Sequence, residues 1–297
     1  MTEDPRWPRA AHWLAAECAS PELVVLGVPA HRTSISATQA NMTPDAVRSA
    51  LLRYSTYAMS TGIDVADVAV LDAGNVDEPD FDDGEARVAT ALRALPAHEL
   101  LVALGGDNSI TYSVMASLFG AELPHAGLVT FDAHFDLRDG RSNGSPVRRL
   151  VEAGLPGERI VQVGIADFAN SAEYAARARE YGITVITRAE VRRRGMDDVV
   201  AQALEVAQAR AGTYVDIDVD VCDRSVVPAC PAAAPGGLSA DELRQAAFLC
   251  ASAPGVRAVD LTEIDAAADA PDARTVRLAA LLVLELAAGL ASRRSAG

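Results

Sequence analysis

Three short segments carry most of the side chains able to do chemistry. The first reads Gly105-Gly106-Asp107-Asn108-Ser109, the second Asp132-Ala133-His134-Phe135-Asp136, and the third Asp216-Ile217-Asp218-Val219-Asp220 with Asp223 close behind. Strand alternation would send Asp216, Asp218 and Asp220 to one face of the third segment and Val215, Ile217 and Val219 to the other. Like charges crowded on a buried face repel one another and lose hydration, which drives their pKa values up unless cations neutralise them. Asp132, His134 and Asp136 add further oxygens and one imidazole, a combination that suits Mn²⁺ better than the sulfur-rich sites of structural zinc. An isolated Asp-x-Asp is ordinarily a loop or a helix cap; the paired motifs at strand ends are what point to a metal centre.

Each segment is fed by an apolar run that can be a buried strand. Residues 100–104 precede the first, residues 127–131 the second, and residues 213–220 contain the third. Runs at residues 23–28, 68–71, 160–163, 184–186 and 257–261 read the same way. Helix candidates lie between them. Residues 44–55 open with Thr43 as cap and Pro44 in the first turn, residues 83–95 are amphipathic, and Ser239 with Glu242 makes a capping box. Continuous apolar strands alternating with helices predict an α/β fold, a three-layer αβα sandwich around a mainly parallel sheet, with its ligand site beyond the strands' carboxyl ends. No repeat or long linker interrupts the pattern, so residues 1–297 are expected to form a single domain. Residues 140–146 and 227–237 read as loops.

Composition narrows the functional classes. The chain has 297 residues, 50% of them hydrophobic and 23% charged, enough to bury a large core. A formal charge of -15 repels a phosphate backbone, and the short run Arg192-Arg193-Arg194 reads as a helix end, so no nucleic-acid partner is expected. The apolar stretch 276–291 is broken by Arg277 and Glu285 and is shorter than the roughly 20 residues a bilayer span requires; it reads as a buried helix, and no membrane partner is expected. No secretory segment is evident, which predicts a cytoplasmic protein. Cys18, Cys222, Cys230 and Cys250 include no C-x-x-C pair and read as reduced core thiols.

Taken together, the motifs resemble those of the ureohydrolases, the arginase and agmatinase family, whose pattern contains Gly-Gly-Asp-His-Ser, Asp-Ala-His-x-Asp and Ser-x-Asp-x-Asp-x-x-Asp-Pro. The resemblance spans almost the whole chain, taking in Gly27-Val28-Pro29, Thr43-Pro44-Asp45-Ala46-Val47-Arg48 and Glu263 within Val259-Asp260-Leu261-Thr262-Glu263. It implies an arginase-like fold and two Mn²⁺ per chain. One ion would take Asn108, Asp132, Asp136 and Asp218, the other His134, Asp132, Asp218 and Asp220. The implied reaction is metal-assisted hydrolysis of an amidine, with Asp136 orienting the attacking oxygen and Glu263 holding the cationic nitrogens by charge-assisted hydrogen bonds. Homo-oligomers are common in this family, so one is expected.

Three departures from the pattern matter. Asn108 stands where the family has histidine, and a neutral amide oxygen is a poorer ligand than imidazole for a transition metal, so weak binding of the first ion is expected. Asp216 takes the family's serine position and Arg224 its proline position, and Asp216 is a candidate to pair with an arginine. Asn143 replaces the histidine of an arginase-like loop, removing a group able to shuttle protons near neutral pH.

Within the family, Asn143-Gly144-Ser145-Pro146-Val147-Arg148, Gly105-Gly106-Asp107-Asn108-Ser109 and Asp223-Arg224-Ser225-Val226-Val227-Pro228-Ala229-Cys230-Pro231 look most like the bacterial formimidoylglutamases. That resemblance implies N-formimidoyl-L-glutamate as substrate, cut to glutamate and formamide in histidine degradation. A substrate with two carboxylates demands a nearby arginine; Arg148 and Arg138 are the candidates, with Asn143 and Glu263 also on the substrate. The alternatives are another ureohydrolase activity, on arginine, agmatine, a guanidino acid or N-hydroxyarginine, and a metal-poor paralogue without catalysis. The acidic surface favours a cationic substrate. A two-metal phosphatase fits less well, since no basic phosphate cradle is evident.

Overall fold

The computed structural model describes residues 4, 6–80 and 82–295. Its centre is an eight-stranded sheet made of β1 (Leu23–Val28), β2 (Val70–Asn75), β3 (Leu100–Gly105), β4 (Ala126–Phe131), β5 (Ile160–Ile165), β6 (Thr184–Thr187), β7 (Gly212–Asp218) and β8 (Val256–Thr262). The strands lie side by side in the order β2-β1-β3-β8-β7-β4-β5-β6, and every pairing among them is parallel. A small antiparallel ribbon joins Tyr57–Ala58 to Ile63–Asp64 apart from the main sheet.

Both faces of the sheet are covered, which is why the central strands are apolar at nearly every position. Val25, Val102, Val129, Val215 and Val259 point to one face and pack beneath helices Thr43–Ala50, Met196–Val206, Ala240–Ser252 and Arg274–Ser292. Their strand neighbours Val24, Leu101, Leu128, Tyr214 and Ala258 point to the other, beneath Gly84–Ala94, Ile110–Phe119, Pro146–Glu152 and Ala172–Tyr181. Helix Arg274–Ser292 is long and apolar enough to cross a bilayer by composition alone, but most of it is buried against Ala240–Ser252 and the sheet.

The expected capping box at Ser239 and Glu242 is present, with both reciprocal bonds formed. Thr43 is not a cap, however: it lies inside helix Thr43–Ala50, and its hydroxyl donates to the Ile264 carbonyl, tying that helix to the segment after β8. The helix also stops short of residue 55, passing into a tight 3₁₀ turn at Leu51–Arg53. Arg48 from the same stretch donates to both Asp72 oxygens at 2.8 Å and to Asn75, fastening the helix to the end of β2.

Candidate metal centre

The strand order, not the sequence order, makes the site. β3, β8, β7 and β4 are consecutive neighbours although residues 106–125 and 132–211 separate them along the chain. Their carboxyl ends therefore open onto one crevice, where the chain leaves the sheet in opposite directions. β3 delivers Asp107 and Asn108, β8 Glu263, β7 Asp218 and Asp220, and β4 Asp132, His134 and Asp136.

The turn after β3 works only because Gly106 lacks a side chain: a Cβ there would fall 1.8 Å from the Ala30 carbonyl oxygen. Asp107 does not face the crevice; its carboxylate accepts from the Ser34 hydroxyl at 2.7 Å and from the Ser109 amide at 3.1 Å, bracing the turn. Asn108 is buried behind it, with Nδ2 donating to Asp136 Oδ2 at 2.6 Å. β7 ends at Asp218, and Val219–Val221 coil into a 3₁₀ turn capped by the Asp218 carboxylate, which accepts from the Asp220 amide at 2.8 Å. The expectation that Asp216, Asp218 and Asp220 share one face of a continuous strand is thus corrected. The turn, and not strand alternation, carries Asp220 to His134, whose Nδ1 lies 2.8 Å from Asp220 Oδ2 and 3.5 Å from Asp132 Oδ1.

Asp216 is the second correction. It has neither a ligand position nor an arginine partner; it is buried inside the sheet, in register with Asp260 of β8. Burial, then the Asp260 charge, raises Asp216 well above the usual carboxylate range. Burial pushes Asp260 to about 6, held from going further by hydrogen bonds from Tyr214 and Thr111.

The crevice itself is a cavity of about 290 Å³ lined by His134, Asp136, Asp218, Asp220 and Glu263. Arg138, Asn143 and Tyr174 line it as well. Glu263 Oε1 accepts from the Asn108 amide at 2.7 Å and from Asn143 Nδ2 at 2.8 Å, so the two asparagines that replace family histidines both touch the machinery around this glutamate. Arg148 does not line the cavity. Its guanidinium is spent on the Arg138 carbonyl at 2.6 Å, the Gly140 carbonyl and Glu152 at 2.5 Å, where it holds the loop that presents Arg138. Asp136 and Glu263 have φ of 52° and 64°, left-handed conformations that cost non-glycine residues about 1–3 kcal/mol each and concentrate at functional sites.

Electrostatics show what the cluster lacks. Burial, followed by the charges of Asp136 and Asp220, raises Asp132 well above its ordinary range, and burial with Asp220 and Asp132 does the same to Asp218. Burial brings Asp136 to about 7, and burial with the Asp107 charge brings Glu263 to about 8. Burial disfavours charge on His134, but its bonds to Asp132 and Asp220 win and push the imidazole up to about 12, while the same contacts keep Asp220 below the usual range despite its burial. Asp132 Oδ2 is buried with no donor among the described residues. Ligand atoms of Asp132, His134 and Asp220 lie within 4.8 Å of one another, as do those of Asp218, Asp220 and Cys230. A divalent cation would supply the missing positive charge and take up the unpaired lone pairs, so the donor set fits one.

Some contributors carry no sequence signal of their own. Asn170 accepts from the Phe135 amide at 3.0 Å and donates to the Ala133 carbonyl at 2.9 Å, clamping the loop of the second motif, yet in sequence it reads only as part of the lead-in to a helix. Asp260 could have been noticed as an acid in mid-strand.

Residues 21–289 match the sequence profile of the arginase family. Formimidoylglutamase of Bacillus subtilis (strain 168) is 33% identical over 291 residues, covering 94% of this chain and 90% of that protein. The Halalkalibacterium halodurans formimidoylglutamase is 33% identical over 276 residues, 89% of this chain and 86% of the relative. Among solved structures, Bacillus subtilis formimidoylglutamase superposes with a TM-score of 0.90 at 30% identity, covering 98% of this chain and 94% of the other. A variant of Trypanosoma cruzi formiminoglutamase, crystallised with Mn²⁺, gives 0.86 at 25% identity, covering 97% and 99%. With the acidic crevice at the meeting of four central strands and this likeness from end to end, the chain belongs to the arginase family.

Proposed function

We propose that the protein is a formimidoylglutamase, cutting N-formimidoyl-L-glutamate to L-glutamate and formamide in histidine degradation. As an arginase-family member it is a hydrolase of C–N bonds in linear amidines. The finer reading is carried by one observation: a single cavity is lined both by carboxylates, Glu263 among them, and by an arginine, Arg138. A substrate that is cationic at one end and carries carboxylates at the other matches that polarity.

Two Mn²⁺ would be held by Asn108, Asp132, Asp136 and Asp218 on one side and by Asp132, His134, Asp218 and Asp220 on the other. Bound there, such a pair supplies Lewis-acid polarisation and a water of lowered pKa. The protein's own groups do the rest. Glu263, anchored by the Asn108 amide and by Asn143, receives the amidinium nitrogens. Arg138 binds a substrate carboxylate, and Arg148 keeps it in place by holding the 138–140 backbone. Water adds to the amidine carbon, the bond to the glutamate nitrogen breaks, and that nitrogen leaves with a proton. Asp136, buried and lining the cavity, is positioned to take the proton from the water and return it to the departing nitrogen. The whole chain acts as one catalytic domain, cytoplasmic and assembled as a homo-oligomer.

A panel of amidines assayed with Mn²⁺ tests this. Formamide release from N-formimidoyl-L-glutamate is the expected result, with arginine, agmatine and 3-guanidinopropionate turned over at least about 100-fold less efficiently, the discrimination expected when buried charges lose their partners. Urea from arginine without formamide from the first substrate would overturn the assignment.

A further inference from the structure

Arg138 lines the catalytic cavity with its head untied. The residue is exposed, and its guanidinium forms no hydrogen bond or ion pair among the described residues. Its backbone, by contrast, is fixed at both ends: the amide donates to the Gly144 carbonyl at 3.0 Å, and the carbonyl accepts from Arg148 Nε at 2.6 Å. An exposed ion pair made by a freely turning side chain is weak, because ordering that chain costs entropy and water screens the charges. Selection of a carboxylate by Arg138 therefore calls for neighbours that restrict its stem and keep water from its head.

Two residues beside it meet that need. A methyl group added to Gly144 would fall 2.8 Å from Arg138 Cδ, 3.3 Å from Arg138 Nε and 3.2 Å from Ile35 Cδ1. The arginine stem thus crosses a bare glycine, in a slot that even a methyl group would crowd, and the tip of Ile35 reaches the same spot. Ile35 and Gly144 both line the cavity with Arg138. Ile35 is 57% exposed, yet the loop that presents it is pinned along its length. The His31 and Arg32 amides donate to Asp80 Oδ2 at 2.6 Å, the Ser34 hydroxyl to Asp107 Oδ2 at 2.7 Å, and the Ile35 amide to Asn143 Oδ1 at 3.0 Å. These bonds hold an apolar side chain in water where a slack loop would turn it away. Asn143 also donates its own amide to the Thr33 carbonyl at 3.2 Å and Nδ2 to Glu263 at 2.8 Å, so one asparagine braces both the Ile35 loop and the glutamate.

We propose that Gly144 and Ile35 are positioning residues that make Arg138 selective: Gly144 opens the slot for its stem, and Ile35 covers the stem and shields the pair formed with a substrate carboxylate. Apolar atoms beside a charge pair displace water and strengthen the attraction. Because Asn143 ties the covering loop to Glu263, the carboxylate-binding and amidine-binding ends keep a set separation. The inference rests on the substrate reading above and adds what gives its arginine discrimination.

The test is steady-state release of formamide from N-formimidoyl-L-glutamate by the full-length protein with Mn²⁺, at low and high salt, for the parent, Ile35→Ala, Ile35→Leu and Gly144→Ala. Ile35→Ala is also made in an Arg138→Met background, and thermal melting is recorded for every protein. Ile35→Ala should raise KM about fivefold, the difference between a shielded and a screened charge-assisted bond. Its kcat should stay within about twofold, as when binding shared by ground and transition states is lost, and its KM should climb more steeply with salt than the parent's. Ile35→Leu keeps the apolar volume and should restore KM to within about twofold. Gly144→Ala should raise KM at least as much with melting unchanged, since the group displaced is the far end of a flexible side chain. In the Arg138→Met background Ile35→Ala should change kcat/KM less than about twofold, because no charge is left to shield. An Ile35→Ala variant with parental KM and salt dependence, or a penalty that persists in full without the arginine, overturns the inference. A parent that releases no formamide sinks the substrate reading, and this inference with it, before any variant is made.

Discussion

Asp216 and Asp218 stand two residues apart on β7, both buried and both acidic, yet they have opposite surroundings. Asp218 sits at the strand's end among Asp132, Asp220 and His134, in a crevice that a cation can enter. Asp216 is enclosed between strands opposite Asp260, fully buried and with both of its oxygens unpartnered among the described residues. The first region is open to a ligand; the second is closed within the sheet, where burial keeps both carboxyls raised. Position relative to the end of a strand, and not residue type, divides them.

Substitutions at the two regions should therefore fail in different ways. Asp218→Asn is expected to lower kcat/KM by more than about 100-fold, beyond what losing an outer partner of a metal ligand costs, while thermal melting of the metal-free protein stays level or rises because a raised, repelled carboxylate has been removed. A fall in metal-free stability would erase the contrast. Glu263→Gln keeps the shape and the bonds to Asn108 and Asn143 but loses the negative charge; about a 100-fold drop in kcat/KM for the amidine is expected, in the range of removing one preorganised electrostatic partner.

Proton linkage sharpens the comparison from the side of the crevice. In the metal-free protein His134 is raised to about 12 and so is charged at neutral pH, whereas a metal needs the neutral imidazole. Loading must release that proton, and Mn²⁺ affinity should climb about tenfold per pH unit between pH 6 and 8 for each proton released. Calorimetry in buffers of different ionisation enthalpy measures the count; zero protons released would contradict the His134 assignment.

Inside the sheet, Asp260→Leu leaves the Tyr214 hydroxyl without its buried acceptor and should destabilise the fold by about 1–3 kcal/mol in urea unfolding. Asp216→Asn retains a donor toward Asp260, and its cost should be less than about 1 kcal/mol. Equal destabilisation by the two variants would show that the bond from Tyr214 does not set the cost at Asp260.

Much of this was legible in the chain itself. The apolar runs marked the strands to within a few residues because burial on both faces leaves little room for other side chains. The three motifs pointed to a metal centre because so many carboxylates at strand ends have few other uses, and their likeness to the ureohydrolase pattern pointed to the family. What the sequence could not disclose were contacts set by strand order and turn geometry. Alternation could not foresee that β7 ends at Asp218 and that a 3₁₀ turn re-aims Asp220. Spacing could not tell which of Arg138 and Arg148 lines the cavity, since that depended on which guanidinium found backbone carbonyls to hold. Nor could it pair Asp216 with Asp260, which are 44 residues apart (260 minus 216) and meet only because β7 and β8 lie side by side. Local composition determined what the residues are able to do; the folded sheet, by bringing distant strand ends into one dry crevice and sealing others from it, decided which of them do it.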